Sequence, residues 1–248
     1  MIQWMKTTYF TTINNHNNLM KAIKYFVILF LGAGMIVSFV QCKQHSTMQS
    51  NHTYTKKYTN EDFYKEGKLD PDIALKAYLD MLEHYGVPYS DFLKENLWIT
   101  DFNLGDFENV GMAGIFWVND PEHRYLGHEI YLLPGQMIVE HKHVATDYPA
   151  KFESWQVRHG WVYNYSVGDS TPNPPELPES QRDYITVAHF QKQYVDEVIH
   201  LAELESPHFL LAGPEGAIVT EYANYHDGNG LRFTNPHVEF IDVLSQPD

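Results

Sequence analysis

Gly135-Gln136-Met137-Ile138-Val139-Glu140-His141-Lys142-His143 is the stretch on which the reading of this 248-residue chain turns. Nine residues separate His143 from Glu153, and six more separate Glu153 from Gly160. Met137 to His141 reads as a β-type run, and side chains two apart in such a run project from the same face of one strand. His141 and His143 are two apart, so their imidazoles can grip one ion. With 14 histidines in the chain, a His-x-His pair also arises as two surface histidines, so the surrounding spacing has to decide.

Outward from this stretch, the chain from Val110 nearly to the C-terminus consists of short β-rich runs separated by turn residues. The expected strands are Met112 to Val118, Glu129 to Leu133, Met137 to His141, Phe152 to Arg158, Trp161 to Val167, Ile185 to His189, Glu197 to Ala202, Phe209 to Leu211 and Ala217 to Tyr222. With no long helix between them, they predict an all-β antiparallel barrel or jelly roll rather than a parallel sheet. Gly168 to Gln181 carries Pro172, Pro174, Pro175 and Pro178 and reads as a loop between the two halves of one barrel. No internal repeat suggests a second one.

Upstream, Asp70 precedes Pro71, apolar residues recur at Ile73, Leu75, Leu79 and Leu82, and Gly86 follows, which signals both ends of a helix. A second short helix is expected from Ser90, with Phe92 and Leu93 facing inward. Lys43 to Glu61 is polar without an apolar period and reads as a flexible linker. Residues 62–248 form the expected domain.

Residues 1–42 have the layout of a secretory signal peptide or membrane anchor, with Met20 as the expected start. Lys21 and Lys24 precede an apolar run from Tyr25 to Val40, and the run ends at Cys42, the sole cysteine. That cysteine resembles the lipidated cysteine of bacterial lipoproteins. The expectation is an exported, periplasm-facing protein tied to a membrane through this segment or through Cys42. One cysteine permits no intramolecular disulfide, so the fold rests on its core.

The chain holds 17 Lys+Arg against 32 Asp+Glu, and the first 42 residues contribute only Lys6, Lys21 and Lys24. The remainder therefore carries 14 against 32, a net −18. Such a surface repels phosphate backbones and opposes anionic substrates at long range, so nucleic acid is excluded as a partner and a neutral molecule is expected. The 44% hydrophobic and 15% aromatic content supplies a sizeable core.

The opening stretch resembles the first motif of the cupins: Gly, five residues, His-x-His, a spacer, Glu, six residues, Gly. Gly135, His141, His143, Glu153 and Gly160 occupy those positions, with a spacer of nine residues where the family has three or four. Lengthening a turn costs little, because closure entropy grows logarithmically. The resemblance implies a single cupin β-barrel with short N-terminal helices and a divalent metal on His141, His143, Glu153 and His208. His208 stands without the family's usual lead-in, and His189, His200, His226 and His237 compete for its place. Nitrogen and oxygen donors suit Mn²⁺, the metal expected, or Fe, Co, Ni or Zn.

Within the cupins, Val110 to Phe240 is similar to the D-lyxose isomerase family. The resemblance rests on His141-Lys142-His143, Lys151-Phe152-Glu153, His208, Thr220-Glu221-Tyr222, Asn224, Asp227 and Arg232-Phe233. It implies aldose–ketose isomerisation of a neutral monosaccharide such as D-lyxose through an enediol, with Glu221 as the shuttling base and Lys151 protonating or orienting a substrate oxygen. Trp155, Trp161, Tyr163 and Tyr222 are candidates for a sugar-stacking wall or plain core. Two alternatives use the same fold: a metal-dependent dioxygenase or decarboxylase, and a non-catalytic carbohydrate-binding cupin. The oligomeric state stays open, with a homodimer as one assembly.

Overall fold

The computed structural model describes residues 54–55 and 58–240. The expected signal or anchor segment and residues 43–53 of the expected linker lie outside the described residues. Part of the remaining linker is packed: Tyr54 is buried, its backbone N–H donates to the Tyr85 hydroxyl, and Asn60 bonds Glu108 and Asp106.

The N-terminal elements are α1 (Asn60–Phe63), the hairpin β1 (Tyr64–Lys65) and β2 (Lys68–Leu69), α2 (Pro71–Tyr85) and α3 (Asp91–Asn96). Helix α2 starts where Asp70 accepts from the Asp72 and Ile73 backbones and stops at Gly86, which takes the left-handed conformation at φ 65°. Its buried face is Ala74, Ala77, Tyr78, Met81 and Leu82, so of the residues expected to form the stripe only Leu82 is fully buried. The two alanines allow close approach to the sheet, and the Tyr78 hydroxyl reaches through to Gln136 at 2.7 Å. In α3, Leu93 is buried, but Phe92 is 56% exposed and stacks on Trp117 instead of facing inward.

The β-structure comprises β3 (Trp98–Thr100), β4 (Met112–Asp120), β5 (Tyr125–Leu132), β6 (His141–His143), β7 (Glu153–Ser166), β8 (His189–Tyr194), β9 (Val198–His200), β10 (Phe209–Ala223) and β11 (Leu231–Phe233). All strand pairs are antiparallel. The main sheet runs β3-β4-β5-β10-β7-β8 with β9 against β7, and β6 pairs with β11 in a second, smaller sheet. Helix α4 (Glu179–Arg182) sits at the end of the proline-rich loop. Inward residues such as Met112, Ile130, Leu132, Trp155, Val157 and Val219 form the barrel core, while Ala113, Ile115, Tyr131 and Ile218 pack outward against α2. Both sheet faces are therefore buried beside the helix, as the near-continuous apolar runs require.

Four strand expectations change, the first being Met137 to His141, which makes only isolated bridges at its two ends while the strand at this place is β6, His141–His143. Phe152 to Arg158 and Trp161 to Val167 are one strand, β7, and Phe209 to Leu211 and Ala217 to Tyr222 are one strand, β10. Both bend where Gly160 and Gly216 adopt φ 67° and 77°, at a register shift between Ala212 and Ala217. A straight ladder of this length would span roughly 40 Å. The bend instead folds it over, so that both of its ends meet at one place. Ile185 to His189 forms no ladder before His189, because the Thr186 and Val187 N–H groups donate to the buried Glu140 carboxylate.

Candidate metal centre and active site

Strand β6 presents His141 and His143, and a backbone bridge between His141 and His208 (N···O 3.1 and 2.9 Å) brings the third imidazole alongside. The bend in β7 and β10 returns Glu153 to the same spot. One ligand atom from each of these four side chains lies within 4.8 Å of the others.

The donor atoms are set up for an ion. The Val139 carbonyl accepts from His141 Nδ1 and the Ser206 carbonyl from His208 Nδ1, both at 2.9 Å, so each ring carries its proton on Nδ1 and offers a bare Nε2. His143 has no hydrogen-bond partner on either ring nitrogen, and neither does His208 Nε2 or Glu153 Oε2. His208 Nε2 and Glu153 Oε2 approach to 2.9 Å but lack hydrogen-bond alignment. Buried polar atoms left unpaired in this way are costly, and a cation satisfies them together. Three imidazole nitrogens and one carboxylate oxygen fit a divalent transition metal with open positions.

Electrostatics agree with that fit at His141, His143 and Glu153, while His208 is drawn the other way by the carboxylate it faces. Burial, reinforced by neighbouring imidazoles, holds His141 well below the ordinary histidine range, and burial draws His143 down to about 4, so both are neutral near neutral pH, as metal ligation requires. Burial also opposes ionisation of Glu153, but Lys151, His143 and His208 outweigh it and hold the carboxyl well below its usual range. Burial opposes charging of His208 too, yet the facing Glu153 carboxylate prevails and raises it.

Lys151, 6% exposed, is wedged between two carboxylates: its Nζ lies 2.9 Å from Glu153 Oε1 and contacts Glu221 Oε1. Burial disfavours its charge, but the two carboxylates raise its pKa overall. The same ammonium, against the cost of burial, lowers Glu221 to about 2, so Glu221 is ionised.

The second Glu221 oxygen, Oε2, lies 3.1 Å from Nδ1 of His128, a buried residue the sequence reading did not single out. The available signal was alternation, since Leu126, His128, Ile130 and Leu132 share the buried face of β5. His226, read as packed or solvated, also lines the pocket, and its backbone is clasped by Asn119 through two hydrogen bonds.

The pocket above the centre occupies about 650 Å³, the open solvent at its mouth included. Of the proposed aromatic wall, Trp155 lines it. Trp161 and Tyr163 pack together under Lys192, and Tyr222 is 46% exposed with its hydroxyl on Gln156, so these three stand apart from it. Trp98, Phe102, Phe116, Phe209, Phe233 and Phe240 supply the pocket's other aromatic surface. His189 bonds the Asp169 carbonyl and His200 bonds Ser154, both outside the ligand group, and His237 is exposed.

The long spacer is tied down around the mouth. Asn224 accepts from the Phe152 N–H, Thr146 donates to Asp227, and Tyr148 packs on Tyr225. Arg232 points along its own loop, donating to the Asn229 and Leu231 carbonyls.

No protein-family model matches the chain. It is 37% identical over 175 residues to the D-lyxose/D-mannose isomerase of Thermosediminibacter oceani, covering 70% of this chain and 94% of that protein. It is 34% identical over 173 residues to a D-lyxose ketol-isomerase of a Thermofilum species, covering 69% and 94%. Among solved structures, the ligand-free L-ribose isomerase of Cellulomonas parahominis aligns with a TM-score of 0.53 at 14% identity, over 67% of this chain and 92% of that one. The Acinetobacter sp. DL28 L-ribose isomerase in complex with L-ribose aligns with a TM-score of 0.54 at 13% identity, over 74% and 95%. The structural likeness supports the barrel fold.

Proposed function

The chain belongs to the D-lyxose ketol-isomerase family of cupins, and on that footing we propose that it interconverts a neutral aldose and its ketose, with D-lyxose and D-xylulose as the first pair to test. The observation that carries this reading is the ionised Glu221, held by Lys151 beside the four-ligand centre. An oxygenase or a binding protein would need the ligands alone.

His141, His143, Glu153 and His208 would hold the divalent ion, with Mn²⁺ as the proposed metal. When bound, it acts as a Lewis acid that polarises the sugar carbonyl. The chain's own groups then divide the remaining work. Glu221, ionised at neutral pH, takes the proton from one carbon and returns it to its neighbour. Lys151, kept charged by its two carboxylates, donates toward substrate oxygen while fixing Glu221 relative to Glu153. The aromatic pocket excludes water, which strengthens these charge interactions.

The test is an anaerobic incubation of Mn²⁺-loaded protein with a pentose and hexose panel that includes D-lyxose and D-mannose. Ketose formation is expected. Turnover that requires O₂, or sugar affinity without turnover, would overturn the reading.

We also propose that the isomerase is exported and held at a membrane. Lys21, Lys24, the apolar run to Val40 and Cys42 support this. Among the described residues, no helix is long and apolar enough to cross a membrane.

A further inference from the structure

We propose that His128 is a positioning residue for the isomerisation, donating its Nδ1–H to Glu221 Oε2 and so fixing the plane of the carboxylate that moves the proton. The inference rests on the reading of Glu221 as the base.

Tautomer assignment follows from the partner. An ionised carboxylate only accepts hydrogen bonds, so at 3.1 Å the donor must be His128 Nδ1. Glu221 is then gripped on both oxygens, by Lys151 at Oε1 and by His128 at Oε2. The two holders act differently. Lys151 is shared with Glu153, one of the four ligand residues, whereas His128 bonds no ligand residue.

His128 is itself held in place. Its ring stacks against Phe116 at 4.4 Å and 19° and against Trp98 at 5.5 Å and 13°. Space for it is provided by Gly114, where a Cβ would lie 2.5 Å from His128 Nε2 and 2.6 Å from the Trp98 ring. The glycine sits in register with Trp98, and Phe116 in register with His128, so three adjacent strands set the ring's position. An imidazole packed against two aromatic rings that also stack on each other, with its Nδ1 on the carboxylate, leaves Glu221 little rotational freedom, which is the condition for a near-attack geometry.

The experiment compares His128→Phe, His128→Asn and His128→Gln in the Mn²⁺-loaded enzyme on the best sugar of the panel. Phe keeps the aromatic packing and loses the donor. Asn places an amide N–H where Nδ1 stands, and Gln places it near Nε2. The expected result is a kcat at least about tenfold lower in H128F, with KM and metal content unchanged, recovery of most of that loss in H128N, and none in H128Q. In an E221Q background, H128F should cost nothing further. A merely structural role predicts the opposite order, with Phe better tolerated than Asn, and that order would overturn the inference. Full activity in E221Q would instead overturn the reading of Glu221, so the two failures are distinguishable.

Discussion

Gly160 and Gly216 face each other across the bend in the β7–β10 ladder so closely that a Cβ on Gly160 would run into the Gly216 carbonyl oxygen. Both glycines hold positive φ, and on this corner depends the return of Glu153 to His208. Gly160→Ala is expected to destabilise the fold by at least about 2 kcal/mol, from strain and backbone overlap together. Metal affinity should weaken with it. Urea unfolding of the metal-free protein gives the first quantity and titration with Mn²⁺ the second. An unchanged midpoint would show that the corner yields without cost.

His141→Ala and His208→Ala each remove one of four donors. Neither variant should retain stoichiometric metal after dialysis against a weak chelator. Elemental analysis reads this directly, and full occupancy in either variant would show that the ligand set is wrong.

Glu221→Gln changes no ligand and almost no volume. It should keep metal content and melting temperature while losing about 10²- to 10⁴-fold in kcat, the span of general-base catalysis. A variant that isomerises at the wild-type rate would remove Glu221 from the mechanism.

Lys151→Met leaves two buried carboxylates without their cation, which should destabilise the metal-free protein by roughly 3–5 kcal/mol at neutral pH. The pH dependence has a definite sign. Burial opposes ionisation of Glu221, but Lys151 outweighs it and lowers the group from 4.5 to about 2. In the wild type its contribution is therefore complete above pH 4.5 and lost as pH falls toward 2. Without Lys151, burial and the Glu153 carboxylate push the pKa up against the remaining His128 hydrogen bond, and the variant's deficit shrinks on acidification. The neutral, buried His141 and His143 weaken both proteins in acid, so the difference between variant and wild type is the quantity to follow. A deficit that stays constant from pH 7 to pH 4 would rule this account out.

Cys42→Ser tests the anchor. Wild-type protein should fractionate with membranes in its native host, and the variant should move to the soluble fraction with undiminished isomerase activity. An identical distribution would exclude lipid attachment at this residue.

Much of this was determined locally and was legible in the residues themselves. Asp70-Pro71 and Gly86 bound their helix because capping and left-handed geometry are properties of single positions. His141 and His143 share a face because strands alternate. Lys151 and Glu221 stood out through their resemblance to a known pattern. The tertiary structure decided what depends on residues far apart in sequence. It joined two pairs of expected strands into bent ones, since a glycine's sign of φ is set by what packs around it. It turned the buried stripe of α2 toward its alanines, since helix contact distance depends on the facing sheet. It sent Thr186 and Val187 to Glu140 rather than to a neighbouring strand. And it put His128 against Glu221, 93 residues away, because β5 and β10 are register partners there, a pairing that alternation along either strand alone does not encode.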